Sequence, residues 1–233
     1  MGIFSRKSSD SPEARAAKEI IKNTRRRFAP FFSIQNAIVK AAGAGGEAVK
    51  PLMSFPTEKD NQENWLYVQL EFLYFFMHLT NRSAFSILGP EGRNKLQNEL
   101  SPLIVLSVIE GFFGHWPQNF KDGIRHDFYE KLNNAELEYG SCKEFLSKDN
   151  PFTGDALLNK LALNVAELAG RPMDQEVIVK VISVASESFA EMKLNQMMND
   201  IKESGFLHSS LITEGELEQA KAALLNEQAS GNA

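Results

Sequence analysis

Glu71, His78 and Arg82 stand seven and four residues apart within WLYVQLEFLYFFMHLTNRSAF, residues 65–85. At about 100° of rotation per residue they return to nearly one angle of a helix, with Asn64, Tyr67 and Phe75 close beside them. A carboxylate, an imidazole and a guanidinium on one face can bind an anion, or shift one another's proton affinities inside a low-dielectric bundle. Glu110, on a later apolar run, is a fourth residue able to join them. The same seam suits a structural role, because an isolated polar stripe on a core helix meets water or an internal partner.

Other chemistries find less material. Di-iron bundles use a Glu-x-x-His pair twice, so that both ligands face one side of the metal. This chain has no such pair: Glu110 and His115 are five residues apart, and His126 with Glu130 falls on a segment expected to be exposed. No metal and no cofactor is expected. The single cysteine, Cys142, sits in the polar stretch Gly140-Ser141-Cys142-Lys143 and is expected to be an ordinary exposed thiol. There is no nucleophile elbow, no P-loop and no dinucleotide fingerprint, and GAGG at 43–46 follows a helix-forming segment, which gives its glycines a turn role. Arg25, Arg26 and Arg27 precede Phe28, Phe31 and Phe32. That basic patch could meet phosphates or an anionic membrane surface, or serve as a solvated helix end whose cations complement the C-terminal dipole.

The elements that must position these residues are all helical. Residues 65–85 carry apolar side chains on nearly every side, the mark of a helix enclosed by its neighbours, and Leu88-Gly89-Pro90 closes it. Before it come a helix from Glu13 to Arg27, stopped or kinked at Pro30, a second from Phe31 to Ala42, and a long connection through residues 43–61 that can act as a hinge. After it come an amphipathic helix from Glu91 to Leu100 and the run LIVLSVIEGFF, which Ser101-Pro102 either starts or merely kinks. Phe120, Ile124, Phe128 and Leu132 recur every four residues on a charged segment expected to cover the core.

Thr153 or Asp155 can cap a helix bearing Leu157, Leu158, Leu161, Val165 and Leu168, and Asp174 caps the longest element, about 175–203, on the order of 40 Å long at 1.5 Å per residue. Thr213-Glu214-Gly215-Glu216 forms a capping box before a last amphipathic helix. The segment LITEGELEQAKAALL loosely resembles the second half of the small SHOCT-type module found at the ends of many bacterial proteins; independently of that resemblance, it reads as an appended helix able to dock on the bundle or on another chain.

No run alternates apolar and polar residues between hairpin turns, and no repeat of 30–50 residues is visible. The expected fold is all-α, an irregular multi-helix bundle around a central helix at about 65–88 with a long helix at about 175–203. Residues 1–12 are expected as a flexible tail, 13–205 as one helical domain and 206–233 as an appended helix and tail. A net charge of -5 over 233 residues argues against bulk binding of nucleic acid. A lone cysteine and the lack of a signal core or a spanning run suggest a cytoplasmic protein. The sequence favours a non-enzymatic protein acting by self-association or by binding another protein. The alternative is a small-ligand binder or enzyme with a pocket between the central helix and residues 102–113, built on Glu71, His78, Arg82 and Glu110.

Overall fold

The computed structural model describes residues 12–147 and 154–208. Among them the chain is all-α, an irregular multi-helix bundle with no strand beyond an isolated bridge between Glu144 and Ala156. No helix there is long and apolar enough to cross a membrane. Backbone contacts divide the chain into two units. In the smaller, which joins residues 12–32 with 200–208 of the described chain, Phe31 stacks on Phe206 with ring centroids 5.4 Å apart, both buried. The larger unit, residues 33–199, contains the seam.

The first helix, α1, is Pro12–Val49 and carries Pro30 inside it. Two helices separated at Pro30 were the sequence expectation, and the ring does remove one backbone donor. The helix continues past the ring into residues that are buried: Phe31, Ile34 and Ile38 are each no more than 1% exposed. The expected connection also shortens at its start, because residues 43–49 remain helical. Gly45 and Gly46 are not turn residues. A β-carbon on Gly45 would lie 2.5 Å from the Phe72 ring and one on Gly46 would collide with Gln69, so the missing side chains let α1 lie directly against the central helix. The true connection is the short 3₁₀ turn Lys50–Leu52 and the extended residues that follow, ending at Thr57, whose hydroxyl accepts from the Asp60 amide at 3.1 Å.

The central helix, α2, is Glu58–Phe112, bent at Gly89, where φ is 75° and ψ 179°. Its first half holds the unbroken buried run from Phe72 to Asn81. Pro102 lies within its second half and starts no new helix. Helix α3, Gln118–Gly140, buries Phe128, Leu132, Ala135 and Tyr139 at alternating spacings of four and three, one stripe along a charged helix. Helix α4 is Leu157–Leu168. Thr153 lies outside the described residues; Ala156 is the N-cap and makes no side-chain capping bond, so Asp155 does not hold the position. The backbone of the preceding loop does so instead: the amides of Leu157 and Leu158 donate to the carbonyls of Glu144 and Phe145 at 2.9 and 3.0 Å.

Asp174 caps α5, Gln175–Met192, accepting from the amides of Glu176 and Val177. The long element expected to run on to residue 203 is divided here. Lys193 adopts φ 49°, ψ 45°, and α6, Leu194–Ser204, begins after it. The break lets Met192 and Leu194, two residues apart and each 3% exposed, both turn inward. A straight helix would set them about 200° apart. Within the larger unit α2 packs on α3 and α4, and α4 packs on α5.

The close approach of α1 to α2 makes a direct prediction. Gly45→Ala gains helix propensity of about 0.8–1.0 kcal/mol. Overpacking against Phe72 costs more, and the net change expected in urea unfolding is a loss of about 1–2 kcal/mol. A variant more stable than the wild type would show that the helices can separate at no cost.

Candidate functional site

The polar seam of α2 is turned inward, towards α3 and α4. Glu71 reaches both: its Oε1 accepts from the Tyr139 hydroxyl at 2.5 Å and from the Asn164 amide at 2.9 Å. Two turns further along, His78 Nδ1 lies 3.0 Å from Glu136 Oε2, and Asn81 donates to Glu136 Oε1 at 2.9 Å. Asn81 in turn accepts from Arg93 Nε at 3.2 Å. The His78 and Tyr139 rings are 5.7 Å apart and join the two sets of bonds into one layer. Three helices are therefore tied by side chains whose polar atoms have few other partners.

Local sequence explains why α3 can supply these groups. Glu136 adjoins the buried stripe at Ala135, and Tyr139 continues that stripe, so a carboxylate and a phenol three residues apart face the same neighbour. On α4, Asn164 precedes Val165 of the buried face and falls opposite Glu71. Glu138, the residue before Tyr139, pairs instead with Lys160 at 2.6 Å.

Burial and bonding pull the two carboxyls in opposite directions. At Glu71 burial dominates and raises the pKa above 4.5, against the bonds from Tyr139 and Asn164 and with help from the charge of Glu138. At Glu136 burial also acts upwards, but the bond and charge of His78, the Asn81 amide and the charge of Arg93 outweigh it, and its pKa falls below 4.5. Burial, reinforced by the charge of Glu71, raises the Tyr139 phenol well above its ordinary range, and Tyr74 shifts the same way through burial and the charges of Glu71 and Asp127. The phenols stay protonated donors.

An imidazole oriented by a carboxylate is the arrangement of a general base. Here His78 is 3% exposed, and its other nitrogen, Nε2, is enclosed without a hydrogen-bond partner. No substrate-sized molecule reaches that nitrogen in this conformation. Two small clefts flank the layer. One, about 260 Å³, is lined by Tyr67, Tyr74, Glu71, Lys131 and Glu138. Lys131 already sits over the Tyr67 ring at 4.9 Å. The other, about 230 Å³, is lined by Arg82, Arg93, Phe85, Asn81 and Glu136.

Glu71, His78 and Arg82 thus belong to one face, but they do different things. Two are held by interior partners, while Arg82 is exposed at the edge. Glu110 is exposed on the second half of α2 and lines neither cleft, and the seam faces α3 and α4, not residues 102–113 as the pocket alternative required. That later segment meets α1, where Gln35 Nε2 donates to Ser107 Oγ at 2.5 Å. The side chains of Arg25, Arg26 and Arg27 lie outside the described residues, as do Thr213 to Glu216. Among the described residues no three His, Cys, Asp or Glu side chains are grouped to hold a metal. Cys142 corrects the expectation of an exposed thiol. It is 4% exposed, and burial pushes its pKa up.

Glu136, Tyr139, Asn164, Asn81 and Arg93 did not come from sequence reasoning. Asn81 alone had a usable signal, standing three residues after His78 on the same face.

The opposed carboxyls give a pH test. A raised carboxyl contributes stability that is full below its unfolded value, near 4.5, and is lost as pH rises through the folded value. Glu71→Gln keeps an oxygen for Tyr139 and Asn164 without the buried charge, so it should melt higher than the wild type near neutrality and converge with it in acid. A lowered carboxyl does the reverse, with stability present above about 4.5 and lost as pH falls through the folded value. Glu136→Gln should therefore lose about 1–3 kcal/mol near neutrality, and the loss should shrink in acid. Thermal unfolding followed from about pH 3 to pH 8 checks both; a pH-independent offset for either variant contradicts the assignment.

Compared with protein-family models, with curated proteins and with solved structures, the chain finds no match.

Proposed function

We propose that this chain is a non-enzymatic, cytoplasmic helical protein that acts through its surface, by self-association or by binding another protein. The observation that carries the reading is a groove of about 1000 Å³ in the larger unit, between the C-terminal end of α1 and α5. Ala48, Pro51, Leu52 and Val179 give it an apolar floor, and Arg171, Asp174, Glu176 and Lys180 give it a charged rim. An apolar centre ringed by polar groups is how protein interfaces are built. The rim charges are also ordered before any partner arrives, because Arg171 bonds Asp174 at 2.7 Å and Glu176 at 3.1 Å. Ordering them in advance lowers the entropy cost of association.

A second, smaller concavity of about 120 Å³ lies along the same pair of helices, lined by Ala37, Ala41 and Ala44 of α1 and by Ser188 and Met192 of α5. From Ala37 to Ala48 the flank extends about 17 Å, or three helical turns. A partner helix presenting side chains every three to four residues fits a surface of that length and relief. The interior layer at His78 supports the same reading from the other side, since its groups are engaged in joining α2, α3 and α4. A reducing compartment accords with the free, buried Cys142.

Val179 is 55% exposed and can be changed without opening the core. Native mass spectrometry of the protein purified from its own host should give a multiple of 26.1 kDa or a complex with a second polypeptide. Val179→Asp should reduce this to the bare monomer with an unchanged melting midpoint. A monomer in both cases, or an assembly indifferent to Val179→Asp, would overturn the reading.

A further inference from the structure

We infer that the cleft at the bend of α2 is a binding site for a small organic anion, one whose carboxylate or phosphate meets Arg82 and Arg93 while its apolar body lies on Phe85. In a straight helix Asn81 and Arg93 would be about 18 Å apart along the axis. The left-handed φ of 75° at Gly89 turns the second half of α2 back so that Arg93 Nε reaches Asn81 Oδ1 at 3.2 Å. That bond fixes the plane of the Arg93 guanidinium from one side. Its two terminal amino groups carry no protein hydrogen bond among the described residues, and neither Arg93 nor Arg82 has a carboxylate ion pair there. Two guanidinium groups with no carboxylate ion pair among the described residues consequently line one cleft of about 230 Å³.

The carboxylate in the same cleft feels the charge of Arg93 but forms no direct ion pair with either arginine among the described residues. Glu136 gives one oxygen to His78 and the other to Asn81, at 3.0 and 2.9 Å, so both of its oxygens are already engaged. The same Asn81 therefore orients Arg93 and restrains Glu136. Phe85 is 55% exposed beside them, one helical turn beyond Arg82, and supplies an apolar wall. Guanidinium forks bind planar or tetrahedral oxyanions through paired N–H bonds, and an aromatic face adds contact with the remainder of the ligand. The volume holds one anionic head and a ring or short chain.

The site is independent of the groove on α1 and α5, so each can fail alone. Isothermal titration of the full chain with phenyl phosphate, benzoate and inorganic phosphate tests it at low ionic strength. Phenyl phosphate or benzoate is expected to bind, whichever is tighter naming the head group, and inorganic phosphate more weakly because it makes no contact with Phe85. Arg82 is exposed and makes no hydrogen bond or ion pair among the described residues, so Arg82→Gln should fold with an unchanged melting midpoint and weaken binding about tenfold or more. Phe85→Ser should bring the affinities for phenyl phosphate and benzoate down towards that for inorganic phosphate. Absence of heat with all three probes at millimolar concentration overturns the proposal, as does binding that Arg82→Gln leaves unchanged.

Discussion

A helix enclosed on all sides cannot leave its polar groups to water, and that constraint governs the larger unit. The first half of α2 is buried continuously from Phe72 to Asn81, yet it includes His78, Thr80 and Asn81. Each unpaired polar group in such a place costs about 1–3 kcal/mol, comparable to a good part of a domain's net stability. Thr80 resolves the problem locally, its hydroxyl donating to the Phe76 carbonyl at 2.8 Å. His78 and Asn81 cannot, and Glu136 of α3 meets His78 Nδ1 and the Asn81 amide with one carboxylate, leaving only His78 Nε2 of these groups without a partner among the described residues. Once Glu136 is fixed against α2, Tyr139 falls three residues later beside Glu71, and Asn164 of α4 completes that second point of attachment. The position of α3 along α2 is thus determined by bonding as well as by the apolar stripe. Sliding α3 by one turn would bury the same kind of surface but leave two carboxyls and an imidazole unmatched.

Glycine acts at both ends of this arrangement and for different reasons. At Gly45 and Gly46 what matters is the absence of a side chain, which allows α1 to contact Phe72 and Gln69 through its backbone. At Gly89 what matters is the left-handed conformation, which a side chain would oppose and where no neighbour lies within 4 Å of the place a β-carbon would occupy. The first closes the core. The second decides which residues from the two halves of α2 become neighbours, and so places Arg93 beside Asn81.

These two uses also explain what the sequence disclosed. The all-α fold, the enclosed helix through most of residues 65–85, the interruption at Leu88-Gly89-Pro90, which is a bend, and the Asp174 cap were legible because each is a local pattern with a local cause. GAGG was misread because glycine in a helix interior has the same local signature whether it ends the helix or admits a neighbour. Lys193 gave no signal: neither it nor Met192 nor Leu194 is a helix breaker, and the bend arises only because both flanking side chains find buried positions. Cys142 looked exposed among Gly, Ser and Lys, but its burial depends on residues distant in sequence. The face carrying Glu71, His78 and Arg82 was visible from periodicity. Its partners were not, because periodicity says which residues share a side of one helix and nothing of which helix comes to meet it.

The two attachment points of α3 differ in kind, and this bears on how the layer behaves as a unit. Glu136 is stabilised by the charges around it, whereas Glu71 is stabilised most when it carries no charge. Acid consequently weakens the contact at His78 but relieves the cost of a buried charge at Glu71, and the groups that meet them on α3, Glu136 and Tyr139, are less than one turn apart. The two responses fall in different pH ranges, the one at Glu71 complete by about pH 4.5 and the one at Glu136 beginning below it. The effect remains local. Loss of charge on Glu136 frees Asn81 from its anionic acceptor, and through Asn81 it reaches Arg93, the residue whose orientation the bend in α2 makes possible.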